Sequence, residues 1–224
     1  MLQIKNLTVC YEKKYILKDF NLKVLPGQLV GIIGPNGTGK STLLKTISGE
    51  VAAKTGEINL NGIDITNYPM CKRAQNIAQI LQDPIAGTIG QMTIAENLSL
   101  GLKRGEARYL IPYKISKRKI LFKERLSLLK MRLENRLDDL VSDLSGGQRQ
   151  ALSLIIATMV PTRLLLLDEI TSALDPIMAK RVMELTQTLV HLFNCPALFI
   201  THDLDEAKNY ADSIVELKPT SQTS

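Results

Sequence analysis

The segment "GPNGTGKST", residues 34–42, directly follows the apolar run at 29–33. Glycines allow successive backbone N–H groups to turn towards one point, and a helix N-terminus adds positive potential there. The pattern Gly34-x-x-x-x-Gly39-Lys40-Ser41 therefore predicts a phosphate-binding loop between a buried strand and a helix. A dinucleotide fingerprint is excluded, because the glycines do not have the G-x-G-x-x-G spacing.

Two side chains give this loop its expected chemistry. Lys40 supplies a point charge for the β and γ phosphates of a nucleotide, and the Ser41 hydroxyl is a ligand type that suits Mg²⁺. The helix that follows is expected over Lys40 to Ser48, with Gly49 as its C-terminal cap.

A second stretch, "LLLLDE" at 164–169, has the composition of a buried strand that ends in two carboxylates. Asp168 is placed to hold Mg²⁺ through water, and Glu169 is placed to take a proton from an attacking water. Taken alone, such a pair more often caps the next helix. Next to a phosphate loop, the metal and base roles are favoured.

A third stretch, "LSGGQ" at 144–148, combines a hydroxyl with two glycines at the expected start of a helix. Ser145, Gly146 and Gly147 would form a second anion site there. In isolation, a serine N-cap followed by a glycine turn would be the preferred interpretation.

The alternation of apolar strands with amphipathic helices predicts an α/β fold with a mostly parallel sheet covered on both faces. Residues 2–33 are expected to form strands, and Asn61-Gly62 predicts a hairpin within 56–65. Helical spacing over 93–143 predicts an inserted helical subdomain, which leaves 1–92 and 144–224 as the core. The remaining expected elements are a strand at 77–81, a helix at about 147–159, strands at 164–167 and 197–201, a helix from 176 to about 191 and a short helix near 205.

Composition limits the possible classes of protein. The 224 residues are 45% hydrophobic and 22% charged, as in globular chains, and no apolar run reaches the roughly 18 residues of a bilayer-spanning helix. The chain starts without the features of a secretion signal, which predicts a cytosolic location. Three scattered cysteines, Cys10, Cys71 and Cys195, predict free thiols rather than disulfides or a zinc site.

The net charge of +6 is concentrated in one region, because 12 Lys/Arg and 3 Asp/Glu lie between Gly101 and Arg136. A solvated helical face is the favoured interpretation, and a surface near anionic lipid is the next. Nucleic acid ranks last, since this basic segment has few aromatic residues and the chain has no tryptophan.

Together with Gln82 in "ILQDP", "SALD" at 172–175 and His202 in "FITHD", the three stretches closely resemble the nucleotide-binding subunit of ATP-binding-cassette (ABC) transporters. The resemblance covers nearly the whole chain in the family's order. It implies a P-loop NTPase core with an N-terminal antiparallel β region and the inserted helical subdomain. It also implies a head-to-tail dimer in which ATP lies between one subunit's phosphate loop and the other's LSGGQ segment.

The resemblance also implies site residues and cofactors. Glu169, His202 and Gln82 correspond to the catalytic positions, Ser41, Gln82 and Asp168 to the Mg²⁺ positions, and Asp175 to the acid that links the two sites of a dimer. The signature positions are Ser145, Gly146, Gly147 and Gln148. The ATP-binding positions are Tyr11, Gly34, Pro35, Asn36, Gly37, Thr38, Gly39, Lys40, Ser41 and Thr42. Tyr11 corresponds to the aromatic that stacks on adenine; strand packing by Tyr11, with Tyr15 as the substitute, stays open.

The family's biology completes these expectations. The partners implied are a second ATPase subunit, identical or paired, transmembrane permease subunits, and a solute-binding protein, with no nucleic acid. The subunit would sit peripherally on the cytoplasmic face of the membrane and hydrolyse MgATP for import of a small solute. A non-transport ABC ATPase, associated with nucleic acid or ribosomes, is the alternative, and a nucleotide sensor without turnover is disfavoured by Glu169 and His202.

The chain departs from the family at a few positions. Ile170 replaces the usual proline after the catalytic acid, and Ala151 and Ile156 occupy positions where arginines usually follow the signature. No reacting group is lost. The segments "QDPIAGT" and "SGGQRQALSL" look most like those of ATPases from an amino-acid uptake group.

Overall fold

The computed structural model describes residues 1–12, 14–105 and 118–219. The strands are β1 Leu2–Tyr11, β2 Lys14–Val24, β3 Leu29–Ile33, β4 Thr55–Leu60, β5 Ile63–Asp64, β6 Ile77–Ile80, β7 Leu164–Asp168, β8 Ala197–Ile200 and β9 Ser213–Glu216. The helices are α1 Lys40–Ser48, α2 Met70–Arg73, α3 Ile94–Gly101, α4 Lys119–Ser127, α5 Gly146–Ala157, α6 Pro176–Leu192 and α7 Leu204–Tyr210. Part of the basic segment, residues 106–117, lies outside the described residues.

The N-terminal strands form an antiparallel sheet in the order β2-β1-β4-β5. The hairpin between β4 and β5 turns at Asn61 and Gly62, both of which have positive φ, as a two-residue type I′ turn requires. Asn-Gly is the preferred pair for such a turn, so the hairpin expected from the sequence is confirmed.

A parallel sheet in the order β6-β7-β8-β3-β9 forms the centre of the molecule. Side chains of β7 alternate between its two faces, so that Leu165 and Leu167 belong to one apolar core while Leu164 and Leu166 belong to the other. The first core includes residues of α3 to α6, and the second includes residues of α1 and the antiparallel sheet. Burial of both faces explains why β7 is a continuous apolar run.

Helix α1 begins immediately after the glycine-rich loop and ends where the sequence predicts. Gly49 has φ +89°, and its N–H donates to the Lys45 carbonyl at 3.1 Å, which closes the last turn. The apolar face of α1, formed by Leu43, Leu44 and Ile47, is fully buried in the second core.

The segment expected to form the inserted subdomain contributes α3, α4 and two short 3₁₀ turns, Leu133–Asn135 and Val141–Asp143. A capping box formed by Thr93 and Glu96 starts α3. Phe122 and Leu126 of α4 are fully buried in the same core as α5. The insert is therefore fixed to the core through shared apolar side chains.

Two elements were not expected from the sequence, the four-residue helix α2 and strand β9. Helix α5 begins one residue earlier than expected, because Ser145 caps it and Gly146 is its first residue. Over the described ranges, no helix is both long enough and apolar enough to cross a bilayer.

Candidate functional site

The glycine-rich loop leaves the carboxyl end of β3 and enters α1, as expected from the sequence. Gly34 has φ +147°, and a Cβ at this position would collide with the Leu217 carbonyl oxygen. Gly39, the residue before the helix, has φ +97°, and its Cβ would lie 2.7 Å from Ile16 Cγ2. Only glycine meets both demands, so the backbone can wrap closely at the start of the helix.

The side chain of Lys40 is held by hydrogen bonds to the backbone of this loop. Its Nζ donates hydrogen bonds to the carbonyl oxygens of Gly34 at 2.7 Å and Pro35 at 3.1 Å, and the residue is only 5% exposed. Burial lowers the Lys40 pKa, while the negative charges of Glu169 and Asp168 oppose this change. The ammonium group is thus fixed between the loop and the two acidic residues at the end of β7.

Asp168, at the end of β7, lies near Ser41 at the start of α1, and hydrogen bonding from the Ser41 side chain acts to lower the Asp168 pKa. Burial and the neighbouring charge of Glu169 raise the Asp168 pKa, and Lys45, Ser41 and Lys40 oppose the rise. The structure therefore brings together the hydroxyl and the carboxylate that the sequence assigned to Mg²⁺. Lys45 was not anticipated as part of this charge balance.

Glu169 and His202 face each other from the ends of adjacent strands, with His202 Nε2 in contact with Glu169 Oε1. The Glu169 N–H also donates to the Ile200 carbonyl oxygen at 3.1 Å, which ties the turn after β7 to β8. The Glu169 side chain is 18% exposed and the His202 side chain 45% exposed. The carboxylate is thus sheltered, and the imidazole lies on its solvent side.

Gln82 is connected to the same site through Ser172, a residue for which the sequence predicted no role. Its Nε2 donates to Ser172 Oγ at 3.1 Å, and the Ser172 hydroxyl donates to the Glu169 carbonyl oxygen at 2.9 Å. Sequence spacing alone gave no signal for Ser172, because the contact joins residues 90 positions apart. The chain of hydrogen bonds links the segment after β6 to the turn that carries Glu169.

The segment that follows Gln82 is attached to α5 and α3. Arg149 Nε donates to Thr88 Oγ1 at 2.7 Å, and Gln150, which is fully buried, donates to the Leu81 carbonyl oxygen at 3.3 Å. The Asn97 side chain accepts from the Ile89 N–H at 2.8 Å. These contacts connect the Gln82 segment to the helix that begins with the signature.

The signature residues start α5 as a capping box. Ser145 Oγ accepts from the Gln148 N–H at 3.3 Å, and Gln148 Oε1 accepts from the Ser145 N–H at 3.2 Å. A Cβ on Gly147 would lie 2.5 Å from Met178 Cε and 3.0 Å from Met178 Cβ, so α5 and α6 approach each other closely at this position. Among the described residues, no hydrogen bond joins this segment to the loop at 34–42 of the same chain.

Asp175 has a structural role as a helix cap, and Tyr11 and Tyr15 are exposed side chains. Asp175 caps α6, since its Oδ1 accepts from the N–H groups of Ile177 and Met178 at 3.1 and 3.0 Å. Tyr11, at the end of β1, is 47% exposed, and Tyr15 is 42% exposed, with its hydroxyl bonded to Lys54 Nζ at 3.2 Å. Tyr11 is thus exposed at the strand end, whereas Lys54 Nζ also lies over the Tyr15 ring, 4.9 Å from its centre.

Comparison with known proteins extends this geometry. The ABC transporter family model matches residues 17–172, which cover the phosphate loop, the signature and the end of β7. The chain belongs to the ABC transporter family. It is therefore an ATP-binding subunit and an ATPase, with the P-loop fold that the sequence predicted.

Relatives in this family are named as ATP-binding proteins of transport systems. A tyrosine transport ATP-binding protein of Clostridioides difficile is 41% identical over 222 residues, which span 97% of this chain and 88% of that protein. A spermidine/putrescine import ATP-binding protein of Aggregatibacter actinomycetemcomitans is 34% identical over 218 residues, and the chain spans only 55% of its length. The alternative of a non-transport ABC ATPase is not favoured.

Solved ABC structures agree with the fold. One is a dimeric ATP-binding cassette in a post-hydrolysis state with ADP and Pi bound, with 27% identity, a TM-score of 0.78 and coverage of 97% of this chain and 94% of that chain. Another is the ADP conformation of an ABC transporter cassette, with 28% identity, a TM-score of 0.83 and coverage of 97% and 87%. ATP as the nucleotide ligand follows from the family.

Proposed function

We propose that this chain hydrolyses MgATP in a head-to-tail dimer and thereby drives import of a small solute through separate membrane permease subunits. The observation that carries the proposal is the meeting of Lys40, Asp168 and Glu169 beside the phosphate loop, with His202 in contact with Glu169. In this arrangement the subunit works peripherally, on the cytoplasmic face of the membrane.

Ser41, Asp168 and Gln82 would hold Mg²⁺. Hydroxyl, carboxylate and amide oxygens are the hard ligands this ion prefers, and Ser41 lies near Asp168. Within the described part of the chain, no group of three His, Cys, Asp or Glu residues could hold a metal by itself. Such a sparse protein set suits an ion that keeps waters and nucleotide oxygens, and when bound it would neutralise charge on the β and γ phosphates.

Glu169 acts as the general base for the attacking water, and His202 orients that carboxylate and contacts the γ-phosphate. Their contact across adjacent strand ends supports this assignment. Residues 34–42 bind the phosphates, and Tyr11 stacks on adenine from its exposed position at the end of β1.

In the proposed dimer, residues of both chains bind each ATP. Ser145, Gly146, Gly147 and Gln148 bind the ATP held by the partner's phosphate loop, with the N-terminal end of α5 facing that nucleotide. Asp175 connects the two sites from the start of α6. The related cassette solved as a dimer with ADP and Pi supports this arrangement.

The permease is proposed to dock over residues 82–100. A groove of about 300 Å³ lies beside this segment, lined among others by Ile80, Gly87, Arg104 and Ile156. Ile156 stands where the family usually has arginine, so the floor of the groove is apolar at this position. A short apolar segment of the permease would fit there, and Gln82 and Ser172 would connect it to Glu169.

Crosslinking tests the docking surface. In a chain whose Cys10 and exposed Cys71 are replaced by serine, a cysteine at Ala86 or Thr88 should crosslink to the permease in native membranes. A cysteine at Ser127, which is exposed on α4, is the matched control and should not crosslink. Equal crosslinking from all three positions would contradict docking at this segment.

An amino acid, with tyrosine as the first candidate, is the proposed solute, and a solute-binding protein is expected to deliver it. The 41% identity to the tyrosine transport protein, against 34% to the spermidine/putrescine protein, supports this choice. The permease that co-purifies with this chain, reconstituted in vesicles, should take up labelled tyrosine when ATP is supplied. Uptake that is equal with the Glu169→Gln chain, or that prefers spermidine, would contradict the proposal.

A further inference from the structure

A separate cavity of about 230 Å³ lies between the β4–β5 hairpin, α2 and the starts of β6 and β7. Its apolar wall includes Leu60, Ile63 and Ile65. In a parallel sheet, all strands begin at one end of the sheet and finish at the other. The cavity therefore lies at the opposite end of the sheet from the phosphate loop and Asp168, so it is separate from the ATP site.

The wall of this cavity contains a buried positive charge. Arg73 is 5% exposed, and its guanidinium donates only to backbone carbonyl oxygens, those of Tyr68, Thr46, Ile47 and Thr66, at 2.6 to 3.0 Å. These bonds use four of its five N–H groups. Buried charges in proteins are usually paired with an opposite charge.

No carboxylate of the described residues forms an ion pair with Arg73. The acid that influences it is Asp64, whose exposed carboxylate already accepts from the Thr66 N–H and hydroxyl at 2.8 and 2.5 Å. Burial lowers the Arg73 pKa and Asp64 opposes this change. Arg73 nevertheless stays charged at neutral pH, as guanidinium groups do in proteins.

Two further cations line the cavity. The Lys72 ammonium lies 3.6 Å from the centre of the Tyr68 ring, and Arg163 precedes β7 with an exposed side chain. None of the described residues that line the cavity is acidic. The cavity thus combines an apolar wall with three positive charges.

We propose that this cavity binds a small organic carboxylate, with its apolar body on Leu60, Ile63 and Ile65 and its charge facing the three cations. Arginine is suited to carboxylates because its paired N–H groups match their geometry, and Arg163 is the arginine that would supply this pairing, since Arg73 has one N–H group left. Inorganic phosphate would leave the apolar wall uncovered, and an amino acid would bring an ammonium group towards three positive charges. At about 230 Å³ the cavity is smaller than sites for drug-sized ligands, so the ligand is a small metabolite.

The site is one helix away from the phosphate loop. Arg73 Nη1 bonds to the carbonyls of Thr46 and Ile47 in the last turn of α1, and α1 begins at Lys40. The carboxylate therefore binds next to the element that positions Lys40. Binding itself does not depend on the transport function proposed above, and it is measured on the purified chain.

Titration calorimetry with 3-phenylpropionate tests the proposal, with a non-hydrolysable ATP analogue and Mg²⁺ present so that the phosphate loop is occupied. We expect a Kd on the order of 1 mM. The neutral 3-phenylpropanamide, which lacks the charge, and acetate, which lacks the apolar body, should each bind about tenfold more weakly.

The chain offers matched variants. Lys72→Gln combined with Arg163→Gln should weaken 3-phenylpropionate binding about tenfold, because two charges are lost. Lys180→Gln, on the exposed face of α6, should leave it unchanged. Arg73 itself is kept, since its bonds hold the end of α1, and thermal unfolding confirms that the variants fold. Absence of binding to the unaltered chain, equal binding of the amide, or equal binding by the double variant would each overturn the proposal.

Discussion

Glu169 occupies a backbone conformation that non-glycine residues seldom adopt. Its φ is +47°, which costs about 1–2 kcal/mol for a residue with a Cβ. The N–H bond to Ile200 and the contact with His202 hold it there. Such strain at the end of a buried strand fits a carboxylate whose direction matters for chemistry.

Glu169→Gln should keep nucleotide binding and slow turnover by about 100-fold or more, since the amide has nearly the same shape but cannot accept the proton of the attacking water. Glu184→Gln, on the exposed face of α6, is the control and should hydrolyse ATP at the normal rate. Steady-state ATPase assays and a fluorescent nucleotide titration measure the two quantities. A Glu169→Gln rate equal to that of the unaltered chain would show that Glu169 is not the base.

The raised pKa of Asp168 leads to a prediction about how the stability of the fold depends on pH. Its pKa is raised in the fold, chiefly by burial, so its ionisation weakens the folded state as pH rises from the ordinary value of 3.8 through the raised pKa. Asp168→Asn removes this effect and keeps nearly the same side-chain shape.

The nucleotide-free Asp168→Asn chain should therefore unfold at a higher temperature than the unaltered chain at pH 7. The difference should shrink as pH falls towards 3.8, because the aspartate becomes neutral. Calorimetric scans at several pH values measure it. A lower unfolding temperature at pH 7, or a gap that widens in acid, would contradict the assigned cause of the pKa shift.

At the scale of elements, the sequence predicted those features that depend on local chemistry. The loop before α1, the cap at Gly49 and the Asn61-Gly62 turn each follow from conformations that glycine or asparagine adopts readily. Strand β9 was missed because its residues are mostly exposed and its pairing with β3 joins distant parts of the chain. The Ser172 bridge was missed because its hydrogen bond with Gln82 joins residues 90 positions apart.

The attachment of the Gln82 segment to α5 yields a prediction at this scale. Thr88→Val keeps the side-chain volume but removes the acceptor of the Arg149 hydrogen bond, which lies at 2.7 Å. A hydrogen bond to a charged group is worth about 1.5–3 kcal/mol. We expect normal ATP binding but at least about a tenfold loss of permease-stimulated ATPase activity, because the segment no longer moves with α5.

Thr188→Val on α6 is the matched control, since Thr188 bonds only within its own helix, to the Glu184 carbonyl oxygen. It should retain permease stimulation. If Thr88→Val is stimulated as strongly as this control, the Arg149 contact does not transmit the signal from the permease.

In the whole molecule, the two segments proposed to bind the nucleotide phosphates precede different helices. The phosphate loop precedes α1, and the signature begins α5. In the proposed dimer, one ATP lies between the phosphate loop of one chain and the signature of the other. A Lys40→Ala chain lacks the cation of its own loop, and a Ser145→Arg chain carries a bulky side chain where the partner's nucleotide should bind. Each homodimer should therefore trap little ATP.

A mixture of the two chains tests whether one ATP is bound by the loop of one chain and the signature of the other. The heterodimer joins the intact loop of the Ser145→Arg chain to the intact signature of the Lys40→Ala chain, which restores one complete site. Trapped labelled ATP is measured on heterodimers purified with two different tags, and Ser127→Arg, at an exposed position of α4, serves as the control for the added arginine. We expect clearly more trapped ATP in the heterodimer than in either homodimer. Heterodimers that form but trap no more than the parent homodimers would contradict the proposed dimer.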